Sequence, residues 1–383
     1  MRFYFEVLVV IIFIHFSSGE YKRVCYVEEW ARYRKGEDKF TPEDIDPNLC
    51  THLMFAFATL DSTATKIKPT DPSDDPSFYK RFNDLKLKNP KLKTMLSVGG
   101  WSMGSDLFHK AVATDSSRNR LAVNVVKYLR SRNFDGIDVD WEFPAKRGST
   151  VDDKHKFTSF LKALRTAGEN DARQSGKERI LVSAALNPME TMFQTSYEIP
   201  EISNYLDFIN LMLYDLHGDW DELLKAAHHA PLYPTQGDPK NNIHYLASVW
   251  VAKGVPKSKL ILGVPFYGKS FHLVDKSKSS LGSSATGGAG DITYREICKL
   301  IQKGAVVNRI TDAKVPYVLH SGDKWTGYDD EKSLQEKMKY IINHGYGGAM
   351  VWALDQDDFK GACGKRYPLI SAMKNTLEGR LIG

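Results

Sequence analysis

Eight short apolar runs recur along the chain, separated by polar loops and amphipathic segments, and this rhythm limits the fold more than any other feature. The runs are Arg23–Val27, His52–Thr59, Lys93–Gly99, Gly136–Glu142, Ile180–Ala185, Phe208–Tyr214, Leu260–Val264 and Gly348–Ala353. Ser116–Arg132, Val151–Asn170 and Asn241–Lys253 carry helical periodicity between them. Alternation of strand and helix predicts an α/β protein with a parallel sheet. Eight repeats favour closure into a (β/α)8 TIM barrel over an open doubly wound sheet. No GxGxxG follows the first run, which argues against a dinucleotide site.

The rhythm breaks once. Between Val264 and Gly348 the chain carries far more than one helix requires. A Gly/Ser-rich stretch at Ser280–Gly290 reads as a flexible connection. It is followed by a helical pattern at Tyr294–Lys303, strand-like runs at Val315–His320 and Lys324–Tyr328, and a helix at Lys332–His344. The expectation is a small α+β insertion domain, residues 269–331, between strands seven and eight. Residues 20–268 and 332–383 then form the barrel.

At the N-terminus, Arg2 precedes the apolar run Val7–Phe16 and the small residues Ser17-Ser18-Gly19. This pattern is a secretory signal over residues 1–19, too short to favour a membrane span. The mature chain should begin near Glu20 or Tyr21 and be extracellular. Four cysteines in an oxidising compartment allow three pairings. Cys25 with Cys50, and Cys298 with Cys363, is the most economical. No CxxC or HxxxH spacing supports a zinc site. The net charge of +5 is dispersed. Its densest run, Lys86–Lys93, lacks the aromatic interleaving of a nucleic-acid surface. Neither nucleic acid nor membrane is an expected partner, and a monomer is expected.

Asp135-Gly136-Ile137-Asp138-Val139-Asp140-Trp141-Glu142 alternates acidic and apolar residues. On a strand, Asp138, Asp140 and Glu142 share one face, and Ile137, Val139 and Trp141 the other. Sheltered like charges raise the pKa of at least one carboxyl, and burial acts in the same direction. A neutral carboxylic acid beside ionised neighbours is what acid-assisted acetal cleavage needs. A solvated acidic edge and a hard-cation site are the competing readings. Barrels place working residues at the C-terminal ends of their strands. Those ends here carry Ser97–Trp101, Asp140–Glu142, Met212–Asp215 and Trp352, a combination of carboxylates and aromatics suited to a sugar.

Ser97–Gly100, Asp135–Glu142 in the pattern DxxDxDxE, Met212–Asp215 and Trp352 together resemble the family-18 glycoside hydrolases, among them the animal chitinases and chitinase-like lectins. The likeness runs from Val24-Cys25-Tyr26 to Tyr367–Ile370. It implies that Glu142 is the proton donor and later the base. The substrate's own 2-acetamido oxygen is the nucleophile, in the manner of this family. Asp140 would orient the acetamide and stabilise the positive intermediate, sharing a proton with Asp138. Tyr214 and Asp215 would hold the acetamide, over a floor formed by Trp352. Tyr26, Phe57, Met212 and Tyr267 would line the pocket, with core packing the strong alternative for Phe57. Trp101 and Trp220 would stack on neighbouring sugars. The implied partner is chitin or N-acetylglucosamine oligosaccharides, with no metal or other cofactor.

The chain departs from the family pattern in several places. Lys269 stands where many relatives have arginine at the cleft edge, which loses the planar fork. Leu213 is expected to pack outward. Ala226-Ala227-His228-His229 replaces a more polar loop, and a polar loop is the expected setting for both histidines. The Ser283–Ile297 segment is short, which lowers one groove wall. No cysteine-rich tail follows, so the cleft should supply the grip on polymer. A binding lectin on the same fold is the main rival to an endo-acting chitinase. Such lectins typically lose the acid, and Glu142 is present here.

Overall fold

The structure, a computed structural model, describes residues 20–380; the secretory-signal expectation falls on residues 1–19, outside them. Fourteen strands form two sheets among the described residues. In chain order they are β1 (Lys22–Glu28), β2 (His52–Leu60), β3 (Ile67–Pro69), β4 (Lys93–Gly99), β5 (Gly136–Asp140), β6 (Leu181–Leu186) and β7 (Phe208–Leu211). They continue as β8 (Leu260–Pro265), β9 (Tyr267–Leu273), β10 (Ala285–Thr293), β11 (Val306–Ile310), β12 (Val315–His320), β13 (Lys324–Gly327) and β14 (Gly348–Trp352).

Strands β1, β14, β8, β7, β6, β5, β4 and β2 pair in that order, all parallel, and β1 pairs with β2 to close the barrel. Alternation along each strand divides the residues between two apolar layers. Val24, Tyr26, Met54, Met95 and Met350 fill the barrel interior. Cys25, Val27, Ile137, Val139 and Val351 face the helices. Leu213, also fully buried, joins that outer layer as expected. Trp141 lies in the same layer, stacked on Phe108 at 5.0 Å, and its indole donates to Ser105 Oγ at 3.0 Å.

A second, antiparallel sheet in the order β10-β9-β13-β12-β11 forms the inserted lobe. Its first strand begins at Tyr267, directly after β8, and the helix Glu331–His344 returns the chain to the barrel. The glycine-rich stretch is not merely a connection. Residues 285–293 form β10, and two register shifts, between Ala285 and Gly287 and between Gly288 and Gly290, absorb the irregularity. Pairing with β9 supplies the order that composition alone disfavours. Val306–Ile310, too exposed to show an apolar run, completes the sheet by pairing with β12.

Both expected disulfides are present, Cys25–Cys50 and Cys298–Cys363. The second ties the lobe helix Tyr294–Gln302 to the loop after β14 across a separation of 65 residues. Closing a loop of that size should contribute about 4 kcal/mol on the chain-entropy model. Cys298→Ser/Cys363→Ser is therefore expected to lower the unfolding free energy by about 2–4 kcal/mol. Urea denaturation measures this, and an unchanged midpoint would refute it.

Candidate active site

The chain reaches the site through strand ends whose backbones lie unusually close. Gly99 has φ +121°, and a Cβ there would lie 2.0 Å from the Asp140 carbonyl oxygen. That oxygen instead accepts the Gly100 amide at 2.9 Å. A Cβ on Gly100 would collide with the Phe57 ring at 2.5 Å. The Gly-Gly pair thus lets β4, β5 and Phe57 converge at one point.

Asp138 is fully buried inside the barrel and accepts four hydrogen bonds. Tyr26 Oη and Ser97 Oγ donate to Oδ2, each at 2.7 Å. Ser183 Oγ at 2.7 Å and Asn210 Nδ2 at 3.2 Å donate to Oδ1. Burial raises the Asp138 pKa, and the hydroxyl and amide donors pull it back. Asp140 lies above it, 3% exposed, with Oδ1 buried and unpartnered. Burial holds its carboxyl well above the usual range, and the charges of Glu142 and Asp138 add to the rise. No hydrogen bond joins Asp138 to Asp140 among the described residues. The donors around Asp138 satisfy it as an anion, so the proton of the pair belongs on Asp140.

Glu142 lies two residues beyond the end of β5, so the strand is shorter than the sequence pattern indicates. Burial raises its carboxyl to about 7, with Arg147 opposing and Asp215 reinforcing the shift. Arg147 is anchored over the Trp101 ring at 3.7 Å and donates to the carbonyls of Trp101 and Glu142.

Two cavities, of about 570 and about 590 Å³, share Trp101, Glu142, Met212, Tyr214 and Asp215 as common walls. Together they make one groove that continues past Glu142 on both sides. One arm is flanked by Trp30, Phe57 and Trp352; the other reaches Asn187, Met189 and Trp220. Trp352 lies parallel to Phe57 at 5.6 Å and tilted over Tyr26 at 5.4 Å. Phe57 is half-buried and faces the groove, so it is both packing and wall. Tyr26 is 1% exposed and lies beneath Trp352, where it contacts Asp138 and does not line the pocket. Trp101 and Trp220 are 61% and 56% exposed, as stacking platforms require.

Lys269 also differs from the expected picture of a cleft-edge cation. It is 9% exposed and spans Asp215 at 3.3 Å and Asp291 at 3.0 Å, with its ammonium 4.9 Å from the Trp220 ring centre. It holds carboxylates in place behind the groove. Asp215 also accepts from Tyr267 Oη at 2.7 Å and contacts His229 Nδ1 at 3.3 Å. Burial alone would raise Asp215, but His229, Lys269 and Tyr267 hold it at about 2.

The polar-loop expectation for His228-His229 is overturned. Both are almost fully buried, because the inserted lobe covers them. His228 Nε2 bonds the Tyr328 carbonyl at 2.8 Å. His217 has both ring nitrogens engaged, with Asp221 at 2.9 Å and Asp238 at 2.6 Å.

Ser183, Asn210 and Arg147 are not marked by any motif. Polar residues inside the otherwise apolar β6 and β7 were the available signal for the first two. Trp30 had a clearer one, since an aromatic three residues past the first apolar run falls at the barrel mouth.

A closed (β/α)8 barrel with buried carboxyls and exposed indoles at its C-terminal mouth defines a glycosidase-type carbohydrate site. Residues 22–357 match the glycosyl hydrolases family 18, and the chain belongs to that family. It is 42% identical to chitotriosidase-1 of Mus musculus, covering 93% of this chain and 78% of the relative. It is 38% identical to chitinase-3-like protein 2 of Homo sapiens, covering 96% of each. A crystal structure of an immunomodulatory active chitinase from Trichuris suis superposes with a TM-score of 0.88 at 34% identity, over 94% of this chain and all of that one. Human YKL-39, described as a pseudo-chitinase that retains chitooligosaccharide binding, gives 0.87 at 38% identity with the same coverage.

Proposed function

We propose that the chain is a secreted, endo-acting chitinase that hydrolyses β-1,4 linkages between N-acetylglucosamine units with retention of configuration. The observation that carries this reading is Glu142, a carboxyl that keeps its proton up to about 7 at the junction of both groove arms. A groove open on both sides of the acid suits cleavage within a polymer. Two disulfides suit an oxidising compartment. No helix among the described residues is long and apolar enough to cross a membrane.

In the first step the acetamido oxygen of the bound sugar bonds to its anomeric carbon. The glycosidic bond breaks, and the leaving oxygen takes the Glu142 proton. Asp140 accepts the acetamide N–H through its side-chain carbonyl oxygen and turns that partial negative charge toward the positive cyclic intermediate. In the second step Glu142, now ionised, takes a proton from water as the water oxygen attacks the anomeric carbon. The acetamide is restored, and the two inversions leave the configuration unchanged. Tyr214 and Asp215 hold the acetamide, and Trp352 supports the ring face.

Hydrolysis requires protonated Glu142 in the free enzyme. A raised pKa keeps that proton in place below about 7 and releases it above. The expected kcat/KM on a fluorogenic chitobioside therefore falls about tenfold per pH unit above about pH 7. A profile flat to about pH 9 would exclude Glu142 as the acid.

The similarity to a human pseudo-chitinase makes oligosaccharide binding without catalysis the second reading. Tight binding of chitin hexamer with no turnover at any pH would favour it.

A further inference from the structure

We infer that the Trp30 arm of the groove carries a cation site that selects a deacetylated sugar, so that the preferred polymer is partially deacetylated chitin. The inference rests on the proposed function for the polymer class and adds a preference within it.

The site is built by the short helical turn Glu29–Tyr33 after β1, together with Asp71 and Asp74. Glu29 lines the groove beside Trp30, Thr59 and Thr70, yet is only 5% exposed. Its Oε2 is buried and has no hydrogen-bond partner. The nearest cation is Arg32, whose Nη2 stands 3.5 Å from that oxygen. Arg32 is already engaged by Asp74 at 2.7 Å and by Asp71 at 2.9 Å. Three carboxylates thus share one guanidinium. The group compensates by taking up protons. Burial raises Glu29 to about 7, with Asp74 adding to the rise, and burial raises Asp74 to about 6.

Among the described residues the shared Arg32 is the one ion-pair partner of Glu29, and a proton makes up the remaining charge. A ligand ammonium in the groove would take its place. In a groove shaped for an amino-sugar polymer, that ammonium is the free 2-amino group of a glucosamine unit. An acetamide substitutes less well, because its single N–H brings no charge to offset the carboxylate. Trp30 is 41% exposed and offers the apolar surface for the same ring.

The test compares hexamers of N-acetylglucosamine, fully acetylated or with one glucosamine at each position in turn. Their binding is measured by calorimetry at about pH 7.5 in the Glu142→Gln background, where Glu29 can ionise and cleavage does not interfere. One positional isomer is expected to bind about five- to tenfold tighter than the acetylated hexamer. That ratio should fall to about one in Glu29→Gln/Glu142→Gln, and should shrink in the single variant as salt rises toward about 1 M. The salt arm applies even if the double variant fails to fold.

The inference is overturned if no isomer exceeds the acetylated hexamer, or if the preference survives Glu29→Gln. It is also overturned if simple cations such as calcium abolish binding of acetylated and glucosamine hexamers alike. Turnover by the wild-type chain plays no part in this ratio. Failure of hydrolysis therefore sinks the catalytic reading alone, and loss of the isomer preference sinks this one alone.

Discussion

Glu142→Gln is expected to lower turnover of a chitin hexamer by about 10³-fold while leaving its affinity within about threefold of the wild type. The amide has the size of the acid and can donate a hydrogen bond, but it cannot release a proton to the leaving oxygen or recover one from water. Binding should persist because the groove walls that carry the sugar faces, Trp101, Trp220 and Trp352, are untouched. Removing the charge at 142 also removes one of the causes that raise Asp140, so Asp140 ionises more readily and remains available to the acetamide. Single-turnover kinetics with calorimetric affinity measures both quantities. A variant retaining most of its rate would place the acid elsewhere. If turnover were absent from wild type and variant alike, the family's binding-only members would be the better comparison.

The barrel and the row of carboxyls at its mouth were legible because both follow from local periodicity. Each buried parallel strand shows as an apolar run, and DxxDxDxE places Asp138 and Asp140 on one face of β5 with Glu142 just past its end. What surrounds those acids was not legible, because it depends on barrel closure. Ser183 and Asn210 reach Asp138 from 45 and 72 residues away, and nothing in their neighbourhoods announces the partner. The same limit applies at 226–229, where Ala-Ala-His-His reads as a loop and only the inserted lobe buries it. In β10 the sequence is rich in glycine and the order comes from its partners, chiefly β9 beside it. Lys269 illustrates the point for charge. Its type was evident, but its orientation toward Asp215 and Asp291 depends on where β9 and β10 meet.

The buried 228–230 segment is held by an ion pair that is itself buried, and Lys337→Met is expected to reveal how much that pair contributes. Lys337 is 2% exposed and Asp329 is 0% exposed, with Nζ 2.5 Å from Oδ2. Lys337 also donates to the Ala230 carbonyl at 2.7 Å, and Ser333 Oγ donates to Asp329 Oδ1 at 2.6 Å. Burial lowers the lysine pKa while Asp329 opposes the shift. Removing the cation alone leaves a carboxylate in the interior with one hydroxyl for compensation, a loss of about 3–5 kcal/mol. Replacing both, as Lys337→Met/Asp329→Leu, removes the stranded charge and should recover most of that stability, because an apolar pair of similar volume is often no worse than a buried ion pair. Urea denaturation of the two variants provides the comparison, and a single variant within about 1 kcal/mol of wild type would show that water or rearrangement reaches Asp329. A functional consequence distinguishes the ion pair from ordinary core packing. Ala230 follows His229, whose ring contacts Asp215. Even the stabilised double variant loses the bond to the Ala230 carbonyl, so KM for oligosaccharides should rise in it more than kcat falls, since the affected group is proposed to hold the acetamide and not to transfer the proton.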